Sequence, residues 1–168
     1  RKLGGSIKSG FAAATGDVVL YTDADLPFDF REVHKALLLM NQYEADIVAA
    51  YRFDRTDEGY VRVIYSFLYN LLVRALFGCR FRDVNFAFKL VRRNVLDSVV
   101  LTSEGSFIDA ELMVSARKLG MSVVQFGVDY FPRTRGVSTL SSPSVIVKIL
   151  KEAWALRAHL NALAPKKS

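Results

Sequence analysis

Two aspartates, one residue apart, are the side chains of this sequence best suited to chemistry. Asp23 and Asp25 directly follow residues 17–22, an apolar, partly β-branched run that predicts a strand buried on both faces, as in a parallel sheet. Ligands of open α/β sheets bind outside the carboxyl ends of strands. Because Mg²⁺ prefers one or two carboxylates together with substrate phosphate oxygens, we expect this pair to hold a divalent cation. A capping or turn role for one aspartate is the structural alternative.

Several arginines follow predicted strands or lie in predicted loops, where a guanidinium fork can hold a phosphate through two hydrogen bonds. These are Arg52, Arg55, Arg133 and Arg135. As a set they predict a phosphate-bearing ligand, although each arginine alone also suits a solvated face.

Predicted strands and helices alternate along the chain, which favours a layered α/β sheet. We expect strands at 17–22, 46–51 and 122–130, and a loosely alternating segment at 84–91. Asp29 and Glu32 have the spacing of a capping box, so a helix is expected to begin at Asp29. Further helices are expected at 5–14, 59–77, 92–100, 108–119 and 144–163, the last with Ile146, Ile149, Leu150 and Trp154 on one stripe.

Composition excludes several classes of protein. The 168 residues suffice for one domain, and the net charge of +6 suits a phosphate-bearing partner. The first 50 residues carry seven acids and five bases, whereas the rest carry 18 bases and ten acids, which fits a cation site facing anion-binding groups.

The single cysteine, Cys79, excludes an internal disulfide and a multi-cysteine zinc site, and it favours a reducing compartment. No nucleic-acid-binding module, secretory signal or membrane span is evident.

The sequence resembles family 2 glycosyltransferases, and most of all the branch of dolichol-phosphate mannose synthases and polyprenyl-phosphate sugar transferases. The resemblance begins with the segment around Asp23-Ala24-Asp25 and covers nearly the whole chain. The further matching segments, in order, are Tyr51-Arg52, Asp83 with Ala87-Phe88-Lys89-Leu90, Arg92-Arg93, Phe107-Ile108-Asp109-Ala110-Glu111-Leu112, Ala116-Arg117-Lys118-Leu119-Gly120 and Pro132-Arg133-Thr134-Arg135-Gly136-Val137-Ser138.

The resemblance implies a nucleotide-diphospho-sugar transferase (GT-A-like) fold and an inverting, metal-dependent sugar transfer. Asp23 and Asp25 would hold Mg²⁺ or Mn²⁺ on the donor diphosphate, where the cation neutralises charge on the leaving group. Asp83 matches an acid of the catalytic site, with a capping role as its structural alternative. We expect a catalytic core at 1–140, lacking a strand–helix–strand segment at its N-terminus, and a C-terminal amphipathic helix and tail at 141–168. Full activity of the chain alone is not expected.

The same resemblance implies a polyprenyl or dolichyl phosphate acceptor. Because a lipid phosphate is already ionised, positioning and charge screening could replace a general base, whereas a hydroxyl acceptor would need one. The substrate-binding residues implied by the matched motifs are Arg52, Arg55, Lys89, Asp109, Glu111, Arg133, Arg135 and Ser138. Asp109 and Glu111 also suit the favourable end of a helix macrodipole.

The helix predicted at 59–77 is apolar around most of its circumference, with Arg62 and Arg74 near its ends. It suits a membrane interface or a buried core equally, and the stripe of the last helix has the same two interpretations. Together with a lipid acceptor, the membrane-interface interpretation predicts a peripheral protein at the cytoplasmic face of a membrane.

Three other functions compete with this one. A phosphotransferase of the haloacid dehalogenase type also places Asp-x-Asp after a strand, but here Leu26-Pro27 follows and no later lysine and acidic pair is evident. A non-catalytic fragment could bind an anionic membrane through charge and amphipathic helices alone. A glycan hydroxyl could replace the lipid phosphate as acceptor.

Overall fold

The computed structural model describes residues 3–53, 60–131 and 143–164, and the statements below concern these residues. They form one four-stranded sheet with helices on both faces. The strands are β1 (Val18–Thr22), β2 (Ile47–Arg52), β3 (Phe88–Arg92) and β4 (Val123–Val128); the helices are α1 (Leu3–Ala13), α2 (Glu32–Gln42), α3 (Tyr60–Phe77), α4 (Arg93–Ser98), α5 (Ile108–Lys118) and α6 (Pro143–Ala162).

The sheet is mixed, with strand order β1-β3-β2-β4. Strand β3 runs antiparallel to β1 and β2, whereas β2 and β4 are parallel. The expectation that β1 lies in a parallel sheet with both faces buried is therefore wrong: β1 pairs antiparallel with β3, and all five of its residues are only partly buried. Thr22 pairs with Phe88, and Arg52 pairs with Val128, so the carboxyl ends of β1, β2 and β4 share one edge with the start of β3. We call this edge the carboxyl edge.

Two hydrophobic cores cover the two faces of the sheet. Alternation along β2 divides its side chains, with Ile47 and Ala49 in the first core and Val48 and Ala50 in the second. The first core takes residues from α1, α3, α5 and α6, and the second takes Ala36 and Met40 from α2. A layered sheet is therefore held by helices on either side, as the alternating pattern predicts.

Two helices differ from their predicted form. Helix α2 begins at Glu32 instead of Asp29, because the Asp29 carboxylate accepts hydrogen bonds from the backbone and the guanidinium of Arg31. Helix α6 buries Ile149, Ala153 and Leu160 in the first core, while Leu150 and Trp154 are exposed. Of the predicted stripe, Ile149 therefore faces the first core, whereas Leu150 and Trp154 lie at the surface.

Helix α3 is neither wholly buried nor wholly exposed. Val73 and Phe77 lie in the first core, whereas Ile64, Phe67, Leu68 and Leu71 are about half exposed or more. Its sequence is apolar on nearly every side because one face packs on the core and another stays apolar at the surface.

Candidate active site

The carboxyl edge brings together the acidic pair, Arg52 and Asp83. Asp23 and Asp25 follow β1, and Arg52 ends β2. A backbone hydrogen bond of 2.9 Å from the Phe131 amide to the Pro27 carbonyl fastens the segment after β4 to the loop after β1. Four sequence-distant segments thus meet at one end of the sheet, where α/β proteins bind ligands.

Asp23 and Asp25 sit on a tight turn. The Leu26 amide donates to the Asp23 carbonyl at 3.2 Å, and Leu26 has a φ of 42°, in the left-handed region. Asp23 is partly buried and Asp25 is exposed. Within the described ranges, no three His, Cys, Asp or Glu side chains come together as a metal cluster. Two carboxylates at a strand end nevertheless fit Mg²⁺ or Mn²⁺, whose other ligands would be water and phosphate oxygens.

Arg52 and Asp83 form a buried ion pair. The Arg52 Nε and Nη2 atoms each donate to a different Asp83 carboxylate oxygen at 2.6 Å, and the Arg52 backbone amide donates at 3.2 Å. Asp83 has a φ of 45°, so its backbone takes a conformation that aspartate tolerates better than most residues. The Arg52 Cζ atom lies 5.7 and 5.4 Å from the ring centroids of Phe86 and Tyr130. These contacts fix the guanidinium at the carboxyl edge.

Lys89 and Asp109 also form a buried ion pair, directly behind the acidic pair. The Lys89 Nζ atom lies 2.5 Å from an Asp109 carboxylate oxygen and donates to the Phe86 carbonyl at 2.9 Å. Both side chains are at most about 5% exposed. Their predicted role in substrate binding stays a prediction, and in this arrangement they neutralise each other inside the core.

Tyr21 connects this ion pair to the aspartates. Its hydroxyl is hydrogen-bonded to Asp109, and its ring centroid lies 5.4 Å from the Lys89 Nζ atom. Burial, together with the negative charges of Asp109 and Asp23, raises the pKa of Tyr21 far above its ordinary value. Tyr21 is therefore neutral and can donate its proton to Asp109.

Glu111 is fully buried away from this cluster. Its carboxylate accepts hydrogen bonds from the Thr102 amide and hydroxyl at 2.8 and 2.6 Å, and from the Ser103 amide at 2.8 Å. With both oxygens occupied and no exposed surface, Glu111 holds the loop before α5. Its predicted role in substrate binding, like that of Lys89 and Asp109, stays a prediction.

The remaining predicted binding residues are Arg55, Arg133, Arg135 and Ser138, and all four lie outside the described residues. Sequence reasoning missed Tyr21 and Tyr130. Each was recognisable as an aromatic residue with a polar tip at the end of a predicted strand, next to residues already singled out.

A sequence model described as glycosyl transferase family 2 matches residues 1–100. The chain belongs to this family. Among curated proteins it is similar to the glycosyltransferase AglD of Haloferax volcanii, with 32% identity over 135 residues, 77% of this chain and 22% of that protein. It is also similar to the undecaprenyl-phosphate 4-deoxy-4-formamido-L-arabinose transferase of Pseudomonas syringae, with 28% identity over 84% of this chain and 40% of that protein.

A third relative is the dodecaprenyl-phosphate galacturonate synthase of Rhizobium johnstonii, which is 25% identical over 79% of this chain and 39% of that protein. The family 2 chain therefore spans about two fifths or less of the length of these relatives.

Solved structures show the fold. The glucosyl-3-phosphoglycerate synthase of Mycobacterium tuberculosis with Mg²⁺ and UDP superimposes with a TM-score of 0.69 at 14% identity, covering 99% of this chain and 57% of that one. The same synthase with Mn²⁺, UDP-glucose and phosphoglyceric acid gives a TM-score of 0.63 at 19% identity, over 92% and 55% of the two chains. The family 2 chain has the GT-A fold that its sequence predicts.

Proposed function

We propose that this chain is part of an enzyme that transfers a sugar, with inversion, from a nucleotide-diphosphate sugar to a polyprenyl or dolichyl phosphate. The observation that carries the proposal is the meeting of Asp23 and Asp25 with a fixed guanidinium, Arg52, at the carboxyl edge. An acidic pair suits a cation on one diphosphate, and a cationic group suits a second phosphate. Family membership and two relatives named for polyprenyl-phosphate substrates support the same assignment.

Asp23 and Asp25 would hold Mg²⁺ or Mn²⁺ beside the donor diphosphate. A bound divalent cation supplies Lewis-acid stabilisation of the charge that develops on the leaving diphosphate. The turn at Leu26 presents the two carboxylates, and Tyr21, whose ring contacts Lys89, lies two residues before Asp23. Of the described residues, these are the ones that position the donor in this proposal.

Asp83 would act by orienting Arg52. Both of its carboxylate oxygens accept hydrogen bonds from the guanidinium, which makes the carboxylate a poor acceptor for a substrate proton. A phosphate acceptor is already ionised and needs no base, so this geometry favours a phosphate over a glycan hydroxyl. Arg52 would place and screen the acceptor phosphate beside the donor.

Attachment to a membrane surface is the second part of the proposal. The exposed apolar residues of α3 include Ile64, Phe67 and Leu68, and Trp154 of α6 is 67% exposed. The exposed bases Lys148, Lys151 and Arg157 lie on α6, which packs against α3. Apolar side chains with neighbouring bases suit the surface of an anionic bilayer. No helix within the described ranges is long and apolar enough to cross a membrane.

The test is a transfer assay on the chain with Mn²⁺, a panel of radiolabelled nucleotide sugars, and undecaprenyl or dolichyl phosphate in detergent. We expect label in the organic extract and a loss of about 100-fold or more in Asp25→Asn, since metal stabilisation is worth several kcal/mol. Asp17→Asn, at the other end of β1, is the matched control and should keep the wild-type rate. Label found in a water-soluble glycan would identify a glycan hydroxyl as the acceptor in place of the lipid phosphate. Equal rates in both variants would contradict the metal site.

A further inference from the structure

A cavity of about 370 Å³ lies on the opposite side of the sheet from the Arg52 side chain. It is lined by Tyr51, Arg80, Phe81, Arg82 and Gln125. Tyr51 shares its face of β2 with Ile47 and Ala49, whereas Arg52 points to the other face, because successive side chains of a strand alternate. The proposed sugar transfer uses none of these five residues.

The Arg82 side chain and backbone are both held in place. Its Nη1 atom donates to the Tyr51 hydroxyl at 3.1 Å, and its Cζ atom lies 5.1 Å from the Tyr51 ring centroid. The Gln125 side chain accepts from the Arg82 amide at 2.9 Å and donates to the Arg82 carbonyl at 2.7 Å. The Arg82 guanidinium stacks on a ring, and Gln125 holds the Arg82 backbone. Such a guanidinium loses little conformational freedom when it binds an anion.

The cavity carries two positive charges and no carboxylate in its lining. Across the part of the chain that the structure describes, neither Arg80 nor Arg82 forms a salt bridge. Because the Tyr51 hydroxyl accepts its hydrogen bond from Arg82, its own proton can be donated to a ligand. Two guanidinium forks and a hydroxyl donor together match the several acceptor oxygens of a phosphate group.

We propose that this cavity binds a phosphate group, carried either by free phosphate or by a lipid head group. Tyr51 and Arg82 are the immediate chain neighbours of Arg52 and Asp83, so the proposed site is adjacent in sequence to both members of the buried ion pair. The proposal goes beyond the sugar transfer and does not depend on it, since neither the acidic pair nor Arg52 takes part.

The first arm of the test is calorimetric titration of the chain with inorganic phosphate. We expect binding that is weakened about tenfold or more in the double variant Arg80→Gln/Arg82→Gln, because charge-assisted hydrogen bonds are lost. Tyr51→Phe keeps the ring under Arg82 and should weaken binding by a smaller factor. The control Arg31→Gln/Lys35→Gln removes the same charge from exposed sites around α2 and should bind like the wild type.

The second arm is flotation with vesicles of phosphatidylcholine, with and without phosphatidic acid. Phosphate binding that is weakened in the double variant and in Tyr51→Phe identifies a site for free phosphate. Flotation that needs phosphatidic acid and is lost in the same variants, without phosphate binding, identifies a lipid head group. If the cavity variants match the control in both arms, or the wild type binds in neither, the proposal is overturned. Should the double variant fail to fold, Tyr51→Phe decides by the same comparison.

Discussion

Arg52 and Asp83 form an ion pair between two buried residues, which are 8% and 5% exposed. Removing one partner of a buried pair leaves the other charge desolvated and unpaired, which is costly. We therefore expect Asp83→Asn to lower the free energy of unfolding by about 3 kcal/mol. Asparagine is the suitable replacement because it tolerates the left-handed backbone at this position.

Urea denaturation measures this change, with Asp97→Asn on the surface of α4 as control. The double variant Arg52→Leu/Asp83→Asn should recover part of the loss, because it removes both charges. A loss in Asp83→Asn no larger than in the control would mean that the pair does not hold the carboxyl edge together.

Two partly buried tyrosines offer a matched comparison at the same scale. The Tyr69 hydroxyl is buried and has no hydrogen-bond partner within the described part of the chain, whereas the Tyr21 hydroxyl is bonded to Asp109. We expect Tyr69→Phe to raise the free energy of unfolding by about 1 kcal/mol, since it removes an unsatisfied group. Tyr21→Phe should lower it by about 2 kcal/mol, since Asp109 loses a donor. Equal effects in urea denaturation would contradict this assignment of partners.

The same tyrosines predict how stability depends on pH. Burial is the largest cause that raises the pKa of Tyr69 and of Tyr21 well above the ordinary value. Above pH ~10 the unfolded chain releases these protons while the folded chain keeps them, so the free energy of unfolding falls as pH rises.

Denaturation at a series of alkaline pH values should show this decline, and Tyr69→Phe should make it shallower. A decline that is as steep in Tyr69→Phe as in the wild type would show that the folded protein ionises Tyr69 readily.

At the scale of elements, α1 depends on one glycine. A Cβ atom at Gly4 would lie 2.4 Å from the Ser103 carbonyl oxygen, and the Gly4 amide donates to the Glu104 carbonyl at 3.0 Å. The atoms that this Cβ would meet belong to the backbone of residues 103 and 104, which cannot move aside as a flexible side chain would. Gly4→Ala should therefore lower the free energy of unfolding by about 2 kcal/mol or more, as in other overpacked sites.

Gly10 is the control in the same helix, because nothing lies within 4 Å of the Cβ that Gly10→Ala would add. That variant should gain about 0.5–1 kcal/mol from helix propensity. Thermal or urea unfolding of the two variants checks both signs together, and a stabilised Gly4→Ala would mean that α1 does not pack on residues 103–104 as described.

Most elements were predictable because their signals are local. The helices α3, α5 and α6 lie within a residue or so of their predicted bounds, since apolar spacing alone marks a helix. The antiparallel pairing of β1 with β3 was not predictable, because an apolar run does not say in which direction its neighbour runs. The predicted start of α2 was wrong because the Asp29 carboxylate binds Arg31 and does not cap the helix.

The site was predictable in part for a similar reason. Asp23 and Asp25 stand next to their strand in the sequence, so their place at the carboxyl edge followed from position alone. The partnership of Arg52 with Asp83 joins residues 31 apart, and that of Lys89 with Asp109 joins residues 20 apart. No spacing rule predicts such contacts, nor the hydrogen bonds that the buried carboxylate of Glu111 accepts from the backbone amides of Thr102 and Ser103.

At the scale of the whole molecule, the two cores support the carboxyl edge from both faces of the sheet. The first core anchors Lys89 and Asp109 behind β1, and the second places Phe86 and Phe88 beside the end of β2. The acidic pair, with Asp23 partly buried and Asp25 exposed, thus lies at the end of a packed assembly. Such preorganisation is what a cation and a diphosphate require of a binding site.

The most direct test of this account is calorimetric titration of the chain with a panel of nucleoside diphosphates and their sugars, with and without Mn²⁺. We expect one nucleotide to bind in the presence of Mn²⁺, to be released by a chelator, and to bind Asp17→Ala but not Asp25→Ala. Binding that needs no metal, or that survives in Asp25→Ala, would contradict the proposed role of Asp23 and Asp25, as would the failure of every nucleotide to bind.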